Sequence, residues 1–498
     1  MPSLTISLSL KSRLRSSTRG NSDSYGVLGF NPSLVFDFKN NYFRKSATNS
    51  TFPASITHAA TTNATMVDSD GLLKWRPHNI LTHSGDLTNA GWTAPRITVA
   101  TGQNDFEGNP TAFKITPTAV SGTHAFFKST SISNLVNGIL STVTIDLKAD
   151  GYNFFSVGSE NNRYAIINLS DGTVSLNTGS VSPTVTSLGN GWYRCSITTS
   201  ANLQEVFSVV ETPQSANYGA TTFTGDGTSG VLVAYPHSIR SDLGGMVNNP
   251  DTSSSYVPTT TTNLYLSRRG HHIYNGSAWV NEGILHESEA RTNLLTYSTD
   301  LAISAWTGAA TIGTLTTGSP FGTYQTISPA INNSNMGAAQ RYQIGKTLTT
   351  GATYVGWALV KYSVGSGWFA LNMYNTGSKA NEQAYFDLQN GVVGSKQPLI
   401  IDHGMVDYGD GWWLCWASSD SSTNSGGVSY EVPNGDGVQS CSAADVILIA
   451  GTQFELGSTP SSYSPTTTAS VTRAAETLTV PAANLPYDST NMSIQMDG

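Results

Sequence analysis

Hydrophobic positions along this chain come in short runs that alternate with polar ones, and small turn-forming residues separate the runs. Val143 and Ile145 alternate with Thr142, Thr144 and Asp146, the period of two expected for a strand with one buried face. Val231 and Val233 open an apolar run just after the Gly225-Asp226-Gly227 turn. "ADVILIAGTQFEL" is apolar almost throughout, as a strand buried on both faces of a sandwich would be. "SDG" at 170–172 and "QNG" at 389–391 fit hairpin turns, because glycine accepts a positive φ. Near the start, Leu4, Ile6, Leu8 and Leu10 share one face of "LTISLSL", and "SLVFDF" supplies a second short strand. "LYLSRRGHHIYNGSAWVNEGILHE" predicts a hairpin connector, and Met492, Ile494 and Met496 alternate as in a strand begun and cut short. No segment keeps a 3.6-residue apolar period over three turns. Many short strands with polar turns predict an all-β chain of the sandwich or jelly-roll kind.

A second pattern lies above the strands. "NILTHSGDLTNAGWT" aligns with "NLLTYSTDLAISAWT", pairing Asn79 with Asn293, Leu81 with Leu295, Ser84 with Ser298 and Trp92 with Trp306, each 214 residues apart. Phe155 pairs with Phe369 at the same offset, and Lys148 with Lys361 at 213. "GNGWYRC" matches "GDGWWLC", setting Trp192 and Cys195 against Trp412 and Cys415 at 220. Asp226 matches Asp436 at 210, and "SYVPTTTT" matches "SYSPTTTA" at 207, with Tyr256 against Tyr463. The offset drifts where loops change length. The chain therefore divides into an N-terminal β-rich attachment and oligomerisation region (1–78), jelly-roll module 1 (79–262), a β-hairpin connector (263–290), jelly-roll module 2 (291–473) and the start of a further element (474–498).

Composition narrows the function. Charged residues are 12% of 498, against roughly 25% in an average soluble protein, so hydroxyls and amides must wet the surface. A hydrophobic share of 38% is enough to fill cores. The net charge of -8 argues against nucleic acid as a partner, which calls for a basic face. Lys11, Arg13, Arg15 and Arg19 form a local basic exception; they suit a solvated arm or, more sharply, docking onto an acidic partner surface. No run reaches the ~18 apolar residues of a membrane span, and the start lacks a signal-peptide pattern. Three scattered cysteines, Cys195, Cys415 and Cys441, fit synthesis in a reducing cytosol without disulfides.

The landmarks resemble a pattern found in tailed-phage virion structural proteins of the tail-fibre and head-spike type, with tandem carbohydrate-binding-module-like jelly-roll repeats. In that pattern "TRAS-x-AT-x-VDSDG" leads into "RTNLL-x-YSEDF-x-x-x-W", followed by "NGWYR" and "SYIPT…TRAAD". Here the counterparts are "THAATTNATMVDSDG" at 57–71, "RTNLLTYSTDLAISAW" at 291–306 and "SYSPTTTASVTRAAE" at 462–476. Module 1 departs from it with Pro77 and His78 where module 2 has Arg291 and Thr292, and it lacks the strand that module 2 keeps as "GTQFELG". The resemblance implies a virion protein, a homotrimeric fibre or spike subunit made in the host cytoplasm and exposed on the particle. It implies no particular ligand; host-surface polysaccharide is an expected partner.

Candidate chemistry is sparse. Acids are scattered, with no nucleophile and base, no metal-ligand spacing and no cofactor motif, so the chain is expected not to be an enzyme. The repeated Gly-Asp-Gly turns raise calcium at Asp226 or Asp436, but a plain tight turn is preferred because no further oxygen ligands can be named. His271 and His272 would point to opposite sides of a strand, which suits a metal poorly. Trp192 and Trp412, beside a cysteine in both copies, are expected in the core; Trp92 and Trp306 are expected to close each module. The glycan-binding candidates are rings present in one copy or next to Gly and Asn: Trp368 and Tyr374 in module 2, Tyr152 with Asn153 in module 1. A purely architectural decoration or connector protein is the alternative, and a fibre-borne polysaccharide depolymerase the remote one.

Overall fold

The computed structural model describes residues 34–46, 48–128, 139–159, 163–200, 206–214, 220–331, 340–378, 380–442 and 445–485. Lys11, Arg13, Arg15 and Arg19, the "LTISLSL" strand and the Met492, Ile494, Met496 strand lie outside these residues. The described chain forms two compact units. One is Pro77–Tyr265; the other combines the chain through Arg76 with the chain from Leu266 onward.

Among the described residues, Pro77–Tyr265 is a sandwich of two six-stranded antiparallel sheets. One runs in the order Ser182–Gly189, Trp192–Thr199, Ser141–Asp150, Gly230–Arg240, Ala112–Pro117, Ile97–Gln103. The other runs Thr173–Thr178, Arg163–Asn168, Phe154–Ser159, Val206–Val210, Ser121–Phe127, Thr222–Thr224. Alternation delivers one face of each to a shared core, in which Val143, Ile145 and Leu147 meet Phe155, Val157, Phe207 and Val209, all fully buried. Such side chains are worth roughly 1.5–3 kcal/mol each when taken out of water.

The second unit contains the same plan. Ile400–Asp407, Trp412–Asp420, Thr353–Val364, Val446–Leu456, Gly322–Ile331 and Thr311–Ile312 follow one another across the first sheet, with Thr316–Gly318 also on Gly322–Ile331. Val392–Lys396, Gln383–Asp387, Trp368–Met373, Ser425–Glu431 and Gln340–Thr347 make the second. Strand for strand this is the order of the first sandwich, less a partner for Thr222–Thr224. The protein is thus all-β, with two tandem jelly-roll-like β-sandwiches.

The repeated landmarks close each sandwich on itself. Asn79 Oδ1 accepts from the Leu81 and Ser238 amides at 3.0 and 3.1 Å, while its Nδ2 donates to the Val257 carbonyl at 2.8 Å. Asn293 Oδ1 accepts from Leu295 and Phe454 at 3.2 and 3.3 Å, and its Nδ2 donates to Thr452 and Ser464 carbonyls at 3.1 and 2.9 Å. Ser84 meets the Tyr256 hydroxyl at 3.1 Å and Ser298 meets that of Tyr463 at 2.7 Å. Trp92 and Trp306 each donate their indole N–H, at 3.0 Å, to the carbonyl nine residues earlier, His83 and Tyr297. Both carbonyl residues take a left-handed φ, 55° and 50°. The entry and exit of each module are therefore tied by a buried polar clasp.

Residues 34–76, expected as a distinct attachment region through 78, do not fold apart from the rest. Thr57–Ala59 pairs with Thr477–Thr479, and Phe43, Phe52 and Ile56 bury against Leu478 and Val480. The Arg268–Tyr274 and Trp279–Leu285 hairpin adds Ile284 to that cluster. Beside it lies a buried ion network. Arg268 reaches Glu287 at 2.7 Å and Glu476 at 3.0 Å, Arg473 reaches Glu287 at 3.0 Å, and Arg76 pairs with Glu476. Burial alone would raise the Glu287 carboxyl, but Arg268, Arg473 and the Ser462 hydroxyl and amide outweigh it and hold it at about 2. Burial, then Arg76, drives His58 down to about 3. The "TRAAE" signature thus supplies Arg473 and Glu476 to a structural knot that joins distant parts of the chain.

Candidate functional site

Three of the expected site residues are used or placed in ways that separate them. Tyr152 packs its ring on Phe223, centroids 5.5 Å apart, against the first core, and is no stacking platform. Asn153 beside it is exposed, and its carbonyl receives the Leu169 amide at 2.7 Å. Tyr374 follows the Trp368–Met373 strand, about 20 Å along the chain from Trp368 at ~3.3 Å per residue; its amide donates to Gly427.

The landmark tryptophans are buried as expected, but Trp192 is not in the sandwich core. Cys195 and Ile197 point inward, so Trp192 points out and is buried with Ala112 and Ala234 in a separate cluster. Trp412, 2% exposed, sits on the corresponding outward position, because Cys415 and Ala417 face the second core. Burial pushes the Cys195 and Cys415 thiols well up.

The Gly-Asp-Gly turns differ between copies. Asp226 caps its own loop: a bond from the Ser229 side chain, then those from the Thr228 and Ser229 amides at 2.8 and 2.7 Å, hold its carboxyl at about 2. Asp436 instead reaches across to Ser395, whose amide and hydroxyl both donate to it at 2.7 Å. His271 receives the Val67 amide on Nδ1 at 3.2 Å, and His272 Nδ1 lies 2.8 Å from the Gly270 carbonyl. Among the described residues no three His, Cys, Asp or Glu side chains gather as a metal site.

Trp368, by contrast, stands on a polar face. Phe369, Leu371 and Met373 enter the second core, so Trp368, Ala370 and Asn372 face away from it. The neighbouring strand does the same: Ala384 and Phe386 are core, and Gln383, Tyr385 and Asp387 share the outer face. The register sets Trp368 opposite Asp387, Ala370 opposite Tyr385 and Asn372 opposite Gln383. On the other side Ala370 lies opposite Glu431 and Asn372 opposite Ser429.

Gln383 is the hub of this face. Its Oε1 accepts from the Tyr385 hydroxyl at 3.1 Å, Gln397 Nε2 at 2.8 Å and Gln439 Nε2 at 2.9 Å. Its Nε2 donates to Glu431 at 3.5 Å. Burial, then Glu431 and Asp436, pushes the Tyr385 phenol up to about 12. The Trp368 ring crosses toward Gly394, where a Cβ would lie 2.7 Å from the indole and 2.8 Å from the Asp436 carboxylate. Glycine there leaves room for ring and acid to converge.

The same positions in the first module carry other chemistry. Phe154 lies opposite Asn168, Ser156 opposite Ile166 and Gly158 opposite Tyr164, with Ser156 opposite Ser208 on the far side. Phe154 therefore stands where the second module has Trp368, Ile166 where it has Tyr385, Tyr164 where it has Gln383, and Ser208 where it has Glu431. Tyr164, Ile166 and Val210 form an apolar cluster with Phe154 and Leu176. At matching positions one copy has an apolar cluster and the other an amide-rich, aromatic one; Tyr164, Ile166, Gln383 and Tyr385 are buried, and Phe154 and Trp368 are half-buried. The sequence singled out Trp368 but missed Gln383, Tyr385, Gln397 and Gln439; comparing the copies position by position exposes them.

No family model matches the chain and no curated protein matches it. Among solved structures it is similar to the N-terminal CBM22-1-CBM22-2 tandem domain of Xyn10C from Paenibacillus barcinonensis, at 10% identity over 80% of this chain and 100% of that one, with a TM-score of 0.20. It is similar also to vicilin from Solanum lycopersicum (tomato), at 8% identity over 72% of this chain and 84% of that one, with a TM-score of 0.09.

Proposed function

We propose that this chain is a non-enzymatic subunit of a tailed-phage particle, a fibre or spike protein, and that its second sandwich grips glycans on the host surface. The observation that carries glycan binding is the half-buried Trp368 ring beside the exposed Asp436 and Gln439 and the half-buried Gln397, with Gln397 and Gln439 held by the buried Gln383. An aromatic ring offers a sugar its apolar face, and amides fixed around it meet the hydroxyls. The first sandwich, with Phe154, Ile166 and Tyr164 at the positions of Trp368, Tyr385 and Gln383, serves as a structural copy. The lead-in and closing motifs support the virion assignment through their resemblance to phage structural proteins. On that reading the protein is a homotrimer whose Lys11, Arg13, Arg15 and Arg19 contact other virion proteins.

Two measurements test this reading. Mass spectrometry of purified particles should find the chain in stoichiometric amounts, and its absence would sink the virion assignment. A glycan array probed with the full chain should give Trp368-dependent signals; a blank array with firm incorporation into particles would favour an architectural protein. Release of oligosaccharide from host polysaccharide would replace adhesion with depolymerase activity.

A further inference from the structure

Histidine is concentrated where the stretch 34–76 meets the connector hairpin and the closing segment of the chain. Of the nine in the sequence, His58, His271, His272 and His286 lie there, and residues 291–473 hold only His403, half-buried on the edge strand Ile400–Asp407. Three of the four sit in seams between separate parts of the chain. His58 is on Thr57–Ala59, opposite Leu478. His271, on Arg268–Tyr274, accepts the Val67 amide on Nδ1 at 3.2 Å and so holds the Thr65–Val67 strand. His286 follows the Trp279–Leu285 strand, and its Nδ1 lies 3.6 Å from Glu476 Oε2.

The charges around these rings oppose a proton. Those that act most on His58 are Arg76, Arg268 and Arg269, with His286 beside them. His286 faces Arg268, Arg76 and Arg473 against Glu287. Glu476 is the acid that would welcome a proton there, but both its oxygens are engaged: Oε1 by Arg76 and Arg268, Oε2 by the Glu287 amide at 3.2 Å. Glu455, which also faces Glu287, is taken up by the Ser461 amide and hydroxyl at 2.8 and 2.6 Å. Around His271 stand Arg268, His272 and Glu287, with Asp68 and its partner Lys74 beyond His272. A proton on any of the three rings enters a buried site lined with guanidiniums, and on His271 it also removes the lone pair that receives the Val67 amide. Burial first, and then arginine, depresses all three, His58 and His271 to about 3.

We infer that this junction is an acid-released latch: residues 34–76 stay docked at neutral pH and come away from the connector and the closing segment as the buried histidines take up protons, while the second sandwich stays folded. A depressed histidine contributes stability that is complete above its unfolded value of 6.5 and is lost as pH falls below it. At pH 5, His58 and His271 each favour the open form about thirtyfold, roughly a thousandfold together. Glu287, held at about 2, gives up its stability only as pH falls below 4.5, so the interval from pH 8 to pH 5 isolates the histidines. Amide hydrogen exchange of the full chain, corrected for the intrinsic effect of pH, is followed at those two values. Opening of Thr57–Ala59, Thr65–Val67 and Thr477–Thr479 rises by about a thousandfold at pH 5, while Thr353–Val364 and Trp412–Asp420 change by less than about threefold. His58→Gln and His271→Asn, which keep a neutral polar group, each cut the rise about thirtyfold. The ratio is taken within each protein, so a variant that is merely less stable still reports. Equal protection of the junction at both pH values overturns the latch, and that comparison needs no substitution. So does a rise that both variants leave intact, or a loss of protection that spreads at once through the second sandwich.

Discussion

The two sandwiches contain a paired experiment at one position of their shared sheet. In the first, Asp146 lies opposite Arg194, next to the Ile145 and Cys195 pair. In the second, Leu359 lies opposite Leu414, next to Ala358 and Cys415. Arg194 Nε and Nη2 hold the Asp146 carboxylate at 2.8 Å each. The acid side chain is 1% exposed and the arginine 32%. Burial nevertheless raises the Asp146 carboxyl above the usual carboxylate range despite Arg194, so ionisation is less favourable in the fold than in water. Arg194→Leu alone strands a buried carboxylate and should destabilise the first sandwich by about 3–5 kcal/mol. Asp146→Leu alone leaves a cation that still reaches solvent and should cost less. The double change to the leucine pair of the second module should range from neutral to a gain of about 1–4 kcal/mol. Because the chain holds two units, local free energies are the right readout. Amide hydrogen exchange across Ser141–Asp150 and Trp192–Thr199 reports them strand by strand. A double variant as destabilised as Arg194→Leu would refute the reasoning, since the pair would then supply net stability that leucines cannot replace.

Three further outcomes follow from the same structure. Asn293→Ala, which deletes two donated and two accepted bonds in a fully buried clasp, should cost about 2–4 kcal/mol, read as faster exchange of the Leu295 and Phe454 amides. Burial drives the ring of His237, which is 3% exposed, down from 6.5 to about 4. The unfolded chain therefore takes the proton first, and stability present above pH 6.5 is lost as pH falls toward 4. The difference of 2.5 units makes the loss about 3 kcal/mol, and His237→Leu should remove that slope from the acid-unfolding curve of the first unit. Cys195 and Cys415 are fully buried with their thiols pushed well up, so an aromatic disulfide reagent should leave both unmodified until denaturant is added.

What the sequence made legible was whatever repeats locally. Asn79 and Asn293, Ser84 and Ser298, Trp92 and Trp306 stand out at a fixed offset because the clasp they build tolerates few alternatives. Strand alternation likewise marks Val143, Ile145 and Leu147 as inward. Two things escaped. Trp192 and Trp412 follow a turn, where alternation does not yet say which face they take, and both turned outward. The Arg76, Arg268, Arg473, Glu287 and Glu476 knot joins residues some 400 apart at its ends, a separation no local pattern records. The face around Trp368 was half visible. Trp368 stands out as a ring held by one copy, but Gln383 and Tyr385 occupy alternate polar positions that look like an ordinary solvated side, until Tyr164 and Ile166 are set beside them.

The central claim, that the second sandwich grips a glycan with the face around Trp368 and Gln383 while the first does not, is tested most directly by solving the structure of the chain with a bound oligosaccharide. The account predicts a sugar ring stacked on Trp368, with hydroxyls directed at the exposed Asp436 and Gln439. Sugar seated on the Phe154 and Ile166 face of the first sandwich, or anywhere away from Trp368, would contradict it.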